Sequence, residues 1–345
     1  MNTIIKPERL QMGDTIAFIA PASGLAAIVS HRLDRAKQFF EENGYNVKIY
    51  PSATKNKGFS SDTPQNRAKD INDAFSDSDV KAIICTIGGN SSHQVLEYLD
   101  FEMIKKNPKI FCGYSDITTL HFALNTQCNM TTFYGPSAIC EFGETLNLEE
   151  YTIEYFFKAT SSDNKIGKII PSEKWTDSKN ANWLNKEDLT ISREYKDNTG
   201  YEWIKEGSAT GKILGGCITS MTHTKGTRYW PDFKDSILLL ETPEGDQFDK
   251  GESIQNVDSL LSDLRILGMF DEIKGIVFGR GFGYTEEEIK QLKESILFNT
   301  RDYDFPIVYG VDIGHSDPML TIPLGVKVTI DSEKNLFSIN EKGVK

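Results

Sequence analysis

An α/β fold with a doubly wound parallel sheet in its N-terminal half, followed by a second domain of strands and helices, is what this sequence predicts. Three observations predict the first half. Short apolar runs recur at Thr15-Ile-Ala-Phe-Ile-Ala20, Val80-Lys-Ala-Ile-Ile-Cys-Thr86 and Lys109-Ile-Phe-Cys112, of the kind that strands buried on both faces require. Amphipathic helical stretches separate them, and that alternation belongs to parallel sheets. Each run also ends in a loop rich in glycine and serine, and in open sheets of this class ligands collect at the carboxyl ends of strands.

The elements follow in order. After the first strand comes Pro21-Ala-Ser-Gly24, then a helix over 28–43 with Leu33, Ala36, Phe39 and Phe40 on one face, closed by Asn43-Gly44. Asn46 to Tyr50 is the next strand. Pro64 opens a helix over 64–76, since proline is tolerated in a first helical turn. The Val80 strand runs into Ile87-Gly88-Gly89-Asn90-Ser91-Ser92 and a helix to about Tyr98. Lys109 to Cys112 is followed by the turn Gly113-Tyr114-Ser115-Asp116 and a helix carrying Ile117, Leu120 and Leu124. Thr131 to Tyr134 completes the set.

Composition then changes. Residues 161–208 are polar and charged, which marks a linker or lid between an N-terminal domain over 1–160 and a C-terminal domain over 209–345. This segment nevertheless holds three of the four tryptophans, Trp175, Trp183 and Trp203, and a disordered linker is poor in aromatic residues. Trp203 suits packing on the second domain. Trp183, between Asn182 and Asn185, suits either packing or a lid ring over a substrate. Beyond it, Gly211 to Met221 reads as strand, glycine turn and helix, and Asp235 to Thr242 as a strand with Glu241 at its carboxyl end. Residues 252–268 form an amphipathic helix, Lys274 to Gly279 a strand, 285–297 a helix, and Pro306 to Tyr309 a strand leading to Gly314-His315-Ser316-Asp317-Pro318. Met319 to Asn340 reads as strands with turns at Pro323-Leu-Gly325 and Asp331 to Lys334.

Chemistry concentrates at the strand ends. Ser115 lies where a strand hands over to a helix N-terminus, beside unpaired N–H groups, which is the geometry of a nucleophile elbow. The second glycine of Gly-x-Ser-x-Gly is Ile117 here, and the alternative is that Ser115 and Asp116 cap the helix. Gly88-Gly89 lets backbone N–H groups face a ligand oxygen, or forms an ordinary turn. It is neither a dinucleotide nor a Walker-type fingerprint. Of the five histidines, His31, His93, His121 and His223 fall on helices, and His315 alone sits in a loop after an apolar strand. It is the candidate base by elimination, the alternative being a plain surface histidine. Glu241 directly follows four apolar residues, where a charge needs a partner; the alternative is an exposed glutamate at a strand end, with Glu244 and Asp246 as mere neighbours. The order Ser115, Glu241, His315 is that of α/β-hydrolases.

Composition excludes several classes. A formal net charge of −12 without a basic stripe argues against a nucleic acid polymer or an anionic membrane as partner. No run of about 18 apolar residues occurs. The five cysteines are scattered without a C-x-x-C pair, as reduced cytoplasmic thiols are. No closely spaced Cys and His set suggests zinc, so no metal or cofactor is expected.

The sequence resembles the LD-carboxypeptidase and microcin C immunity family of serine peptidases. The resemblance is carried by Gly13-Asp14, Ala20 to Gly24, Thr86 to Asn90, Gly113-Tyr-Ser-Asp-Ile-Thr118, Phe133 to Pro136, Gly207 to Gly216, Leu240-Glu241, and Gly314-His315 through Pro318-Met-Leu-Thr-Ile-Pro-Leu-Gly325. It implies a flavodoxin-like N-terminal domain with a smaller β-rich C-terminal domain, a Ser115–Glu241–His315 triad, an oxyanion hole from the N–H groups of Gly89 and Asp116, and a homodimer. It also implies a substrate site that includes Gly88, Asn90, Trp183 and Cys217. The long tryptophan-bearing insert is similar to the immunity branch, in which a loop tryptophan stacks on the nucleotide base; Trp183 matches that position. Where the family usually has asparagine, this chain has Cys217. The expected substrate is a small peptide or an aminoacyl-nucleotide. The alternatives are a muramoyltetrapeptide LD-carboxypeptidase of murein recycling and a non-catalytic binding protein on the same scaffold.

Overall fold

The structure, a computed structural model, describes residues 4–146 and 148–345. Five parallel strands build the first sheet: β1 (Thr15–Ile19), β2 (Asn46–Ile49), β3 (Val80–Cys85), β4 (Ile110–Gly113) and β5 (Thr132–Tyr134). They lie in the order β5-β4-β3-β1-β2. Alternate residues serve opposite layers. Ile16 and Phe18 pack with Leu33, Ala36, Phe39 and Phe40 of the Ser30–Glu42 helix on one side. Ala17 and Ile19 pack with Ala68, Ile71, Ala74 and Phe75 of the Pro64–Ser76 helix, and with Leu120 and Leu124, on the other. The apolar runs are continuous because both faces are covered.

The second sheet has eight strands. Its centre is parallel: Ser208–Cys217, Ser236–Glu241, Gly275–Gly279 and Ile307–Val311. Antiparallel strands extend both edges, Lys327–Asp331, Leu336–Ile339 and Gly167–Lys168 on one side and Glu202–Lys205 on the other. The helices Ile254–Ile266 and Glu286–Asn299 cover one face.

Three local expectations change. Gly215-Gly216 is not a turn: the strand runs unbroken from Ser208 to Cys217. A Cβ on Gly216 would lie 2.5 Å from Thr118 Oγ1 and 2.8 Å from the Tyr134 ring, so glycine is required by the close approach of the two sheets, not by chain reversal. Ser92–Tyr98 and Thr222–Thr224 are 3₁₀ turns rather than α-helix. Ile322–Leu324, expected within the C-terminal strands, pairs antiparallel with β5 and so extends the first sheet. No helix among the described residues is long and apolar enough to cross a membrane.

The polar 161–208 segment is folded onto both halves. Lys174–Trp175 and Lys196–Asp197 form a small two-stranded sheet. Thr176 and Asp317 exchange backbone hydrogen bonds of 2.7 and 2.8 Å, which braces the loop carrying His315. Trp203 stands on the edge strand and donates its indole N–H to Asn335 Oδ1 at 2.8 Å.

Candidate active site

The carboxyl ends of both parallel sheets meet, and Ser115, Glu241 and His315 meet with them. Ser115 follows β4 by two residues and has φ +61°, a left-handed backbone that costs a non-glycine residue about 1–2 kcal/mol. Neighbours hold it there. Its N–H donates to Tyr134 Oη at 3.1 Å, and Thr118 Oγ1 donates to its carbonyl at 2.6 Å. Burial lowers the His121 pKa to about 4, so its neutral ring donates Nε2–H to the Gly113 carbonyl at 2.9 Å.

His315 Nε2 lies 3.0 Å from Ser115 Oγ and Nδ1 lies 2.8 Å from Glu241 Oε2. Glu241 is fully buried at the end of its strand, where both oxygens find donors. Oε1 accepts from Tyr134 Oη at 2.6 Å. Burial, then Glu241, raises the Tyr134 pKa well above its ordinary value, so the phenol keeps its proton and spends it on Glu241. One tyrosine thus ties the Ser115 backbone to the carboxylate behind His315.

Glu244 alters the electrostatics. Its Oε2 lies 3.1 Å from His315 Nε2, and its side chain is 47% exposed. Burial alone would lower the His315 pKa, but Glu241 and then Glu244 outweigh it and raise it to about 9. Desolvation in the cleft opposes ionisation of Glu244, yet His315 and Lys179 lower its pKa. The imidazolium is therefore the resting form at neutral pH, flanked by two carboxylates.

A cleft of about 440 Å³ opens over this group. Gly88, Gly89, Lys179, Trp183, Glu244 and Phe248 are among its walls. A Cβ on Gly88 would come within 2.9 Å of Ser115 Cβ and 3.2 Å of the Asp116 nitrogen, so the Gly88-Gly89 loop lies against the serine turn as closely as backbone permits. Trp183 lines the cleft, and its inner face stacks on the Arg32 guanidinium at 3.9 Å. Arg32, fully buried, reaches Asp188 Oδ2 at 2.7 Å and the Ile139 and Cys140 carbonyls at 2.6 and 2.7 Å. This ion pair fixes the tryptophan's segment to the first sheet's layer. Asn90 is exposed beside the cleft. Cys217 is buried and not among the cleft's walls, its N–H donating to Thr118 Oγ1 at 3.0 Å and its Sγ 3.2 Å from Thr219 Oγ1. All five cysteines are free thiols.

Sequence reasoning missed Tyr134 and Lys179 and treated Glu244 as a mere neighbour of Glu241. Tyr134 had a signal, a polar tip inside a buried strand that has to find a partner. Glu244 and Lys179 had none, because exposed charges on loops look alike in sequence.

The profile of the LD-carboxypeptidase N-terminal domain matches residues 16–135, and that of the C-terminal domain matches residues 210–330. A Vibrio cholerae protein with a provisional carboxypeptidase name is 33% identical over 97% of this chain and 98% of its own length. The microcin C7 self-immunity protein MccF of Escherichia coli is 31% identical over 96% of this chain and 95% of its own. A solved structure of wild-type MccF without ligand superposes with a TM-score of 0.90 at 29% identity, covering 99% of this chain and 100% of that one.

Proposed function

Because the chain belongs to the LD-carboxypeptidase family of serine peptidases, we propose that it hydrolyses an amide bond near the carboxyl end of a peptidyl- or aminoacyl-nucleotide, with Ser115 as nucleophile, His315 as base and Glu241 as its orienting acid. The observation that carries this reading is the continuous chain of contacts Ser115 Oγ–His315 Nε2 and His315 Nδ1–Glu241 Oε2, at 3.0 and 2.8 Å.

The mechanism follows from the atoms. Neutral His315 takes the Ser115 proton at Nε2 as Oγ attacks the carbonyl carbon. The imidazolium that forms is balanced by Glu241 through Nδ1–H. The negative oxygen of the tetrahedral intermediate faces the N–H groups of Gly89 and Asp116, an arrangement worth roughly 3–4 kcal/mol per donor in comparable sites. His315 then returns the proton to the leaving amine. Water attacks the acyl-enzyme by the same route.

The nucleotide part of the reading is supported by Trp183, a large ring at the cleft wall, and by the MccF structures in complex with aspartyl sulfamoyl adenosine and glutamyl sulfamoyl guanosine. A base slid against the open face of Trp183 would extend the stack that Arg32 begins. The second reading is a murein peptide carboxypeptidase, favoured by the probable murein peptide carboxypeptidase of Bacillus subtilis, 28% identical over 98% of this chain. The proposal extends to a cytoplasmic homodimer and to the division into 1–160, 161–208 and 209–345. Incubation with aspartyl sulfamoyl adenosine and with an L,D-linked murein tetrapeptide, side by side, separates the two substrates. We expect cleavage of the adenosine compound and not of the tetrapeptide. The reverse result would make this a recycling enzyme, and inertness toward both would remove the reading.

Glu244 adds a pH prediction. A carboxylate beside His315 Nε2 favours the protonated ring, which cannot act as a base. The rising limb of kcat/KM against pH should therefore track the free-enzyme His315 pKa of about 9. Removing one anion from a cation lowers that cation's pKa, so Glu244→Gln should shift the limb downward by about 1 unit and raise activity at neutral pH. An unmoved limb would mean that Glu244 does not face the imidazole in solution.

A further inference from the structure

Sequence spacing shows no metal set, but folding brings one together. His93 comes from the turn after β3, Asp116 from the turn that carries Ser115, and His223 from the turn after the Ser208–Cys217 strand. One ligand atom from each lies within 4.8 Å of the others. The two imidazoles stack, with ring centroids 4.5 Å apart and planes inclined by 24°.

Hydrogen bonding separates this cluster from a chance meeting of side chains. Asp116 is fully buried, and its Oδ2 accepts the Ser91 and Ser92 N–H groups, both at 2.8 Å. Its Oδ1 is buried and has no hydrogen-bond partner, and the same holds for His93 Nδ1. A buried carboxylate oxygen without a donor is costly, and buried atoms of this kind in a native structure call for an explanation. A cation supplies one. Oδ2 anchors the carboxylate and leaves Oδ1 for coordination. His223 is exposed, which provides both an entry path and room for water in a fourth position.

We propose that His93, Asp116 and His223 bind one divalent transition metal ion, with zinc the best fitted. Two imidazole nitrogens and one carboxylate oxygen are a borderline donor set that suits zinc over magnesium or calcium. The ion would tie three segments together: the loop that follows Gly88-Gly89, the Ser115 turn, and the turn beyond Cys217.

The test is titration of chelator-stripped, full-length protein with zinc chloride by calorimetry, with cobalt(II) as a spectroscopic stand-in. One ion per chain and the visible absorption of a low-coordinate cobalt site are expected. His223→Ala should weaken zinc binding at least tenfold while leaving the unfolding temperature in chelator and the peptidase activity unchanged, since His223 is exposed and takes no part in the triad. His93→Asn should weaken it similarly. Saturating zinc should raise the unfolding temperature of the wild type and not of His223→Ala. Absence of binding to the wild type, or binding that survives both substitutions, would overturn the site. The readout is binding and stability, so it stands or falls independently of the substrate.

Discussion

Ser115→Ala is expected to lower kcat by about 10⁵–10⁶-fold with little change in KM, the loss seen when the nucleophile of a serine triad is removed. The substitution deletes only Oγ. The Tyr134 and Thr118 bonds to the Ser115 backbone remain, so the turn keeps its shape. Steady-state kinetics on the cleaved substrate check the first statement and circular dichroism the second. A companion variant separates chemistry from strain. Ser115→Gly removes the same hydroxyl but accepts φ +61° without the Cβ penalty, so it should be as inactive as Ser115→Ala yet more stable by about 1 kcal/mol. If Ser115→Ala retains activity, the nucleophile assignment fails and the scaffold is a binding protein or works through another group.

Glu241→Gln should lower kcat by about 10⁴-fold, the cost of presenting the wrong imidazole tautomer. The effect runs through Tyr134. Its hydroxyl donates to Glu241 Oε1, so a glutamine would place its carbonyl oxygen there and turn its NH₂ toward His315 Nδ1. That nitrogen must then accept. The ring proton moves to Nε2, which can no longer take the proton of Ser115. Loss of the carboxylate also removes the larger of the two attractions that hold the His315 pKa near 9, so the pH limb should fall along with kcat. An unmoved limb would mean that Glu241 does not face the imidazole in solution. Glu241→Ala is a harsher change, since it leaves His315 and Tyr134 both without their buried partner. It should cost stability of about 3 kcal/mol, measurable by denaturant unfolding.

Much of this was legible in sequence. The runs at Thr15 and Val80 had to be strands buried on both sides, since they are apolar without alternation and too short for helices. Leu33, Ala36, Phe39 and Phe40 had to share a helix face. Glu241 called for a partner unless exposed, because it follows four apolar residues. Ser115 at the handover from strand to helix, and His315 in a loop after a strand, completed a sensible chain order. These inferences rest on local periodicity and on the cost of burying charge, both properties of a short window of chain.

What the tertiary structure decided lies between windows. His315 and Ser115 are 200 positions apart, and their contact depends on two sheets presenting their carboxyl ends to each other. Gly215-Gly216 looked like a turn, because glycine in sequence signals freedom, whereas here it signals crowding against Thr118 and Tyr134. Ile322–Leu324 changed sheets because β5 offered an open edge. Trp183 was legible as a ring near the site, but the Arg32 guanidinium beneath it was not. Glu244 beside His315, and the convergence of His93, Asp116 and His223, had no trace in spacing at all. Composition and periodicity determined the main apolar strands and helix faces of this protein, because burial acts on each segment by itself. Which polar groups meet was decided only by the packing of the two sheets, because hydrogen bonds and charge pairs act over a few ångströms and carry no mark along the chain.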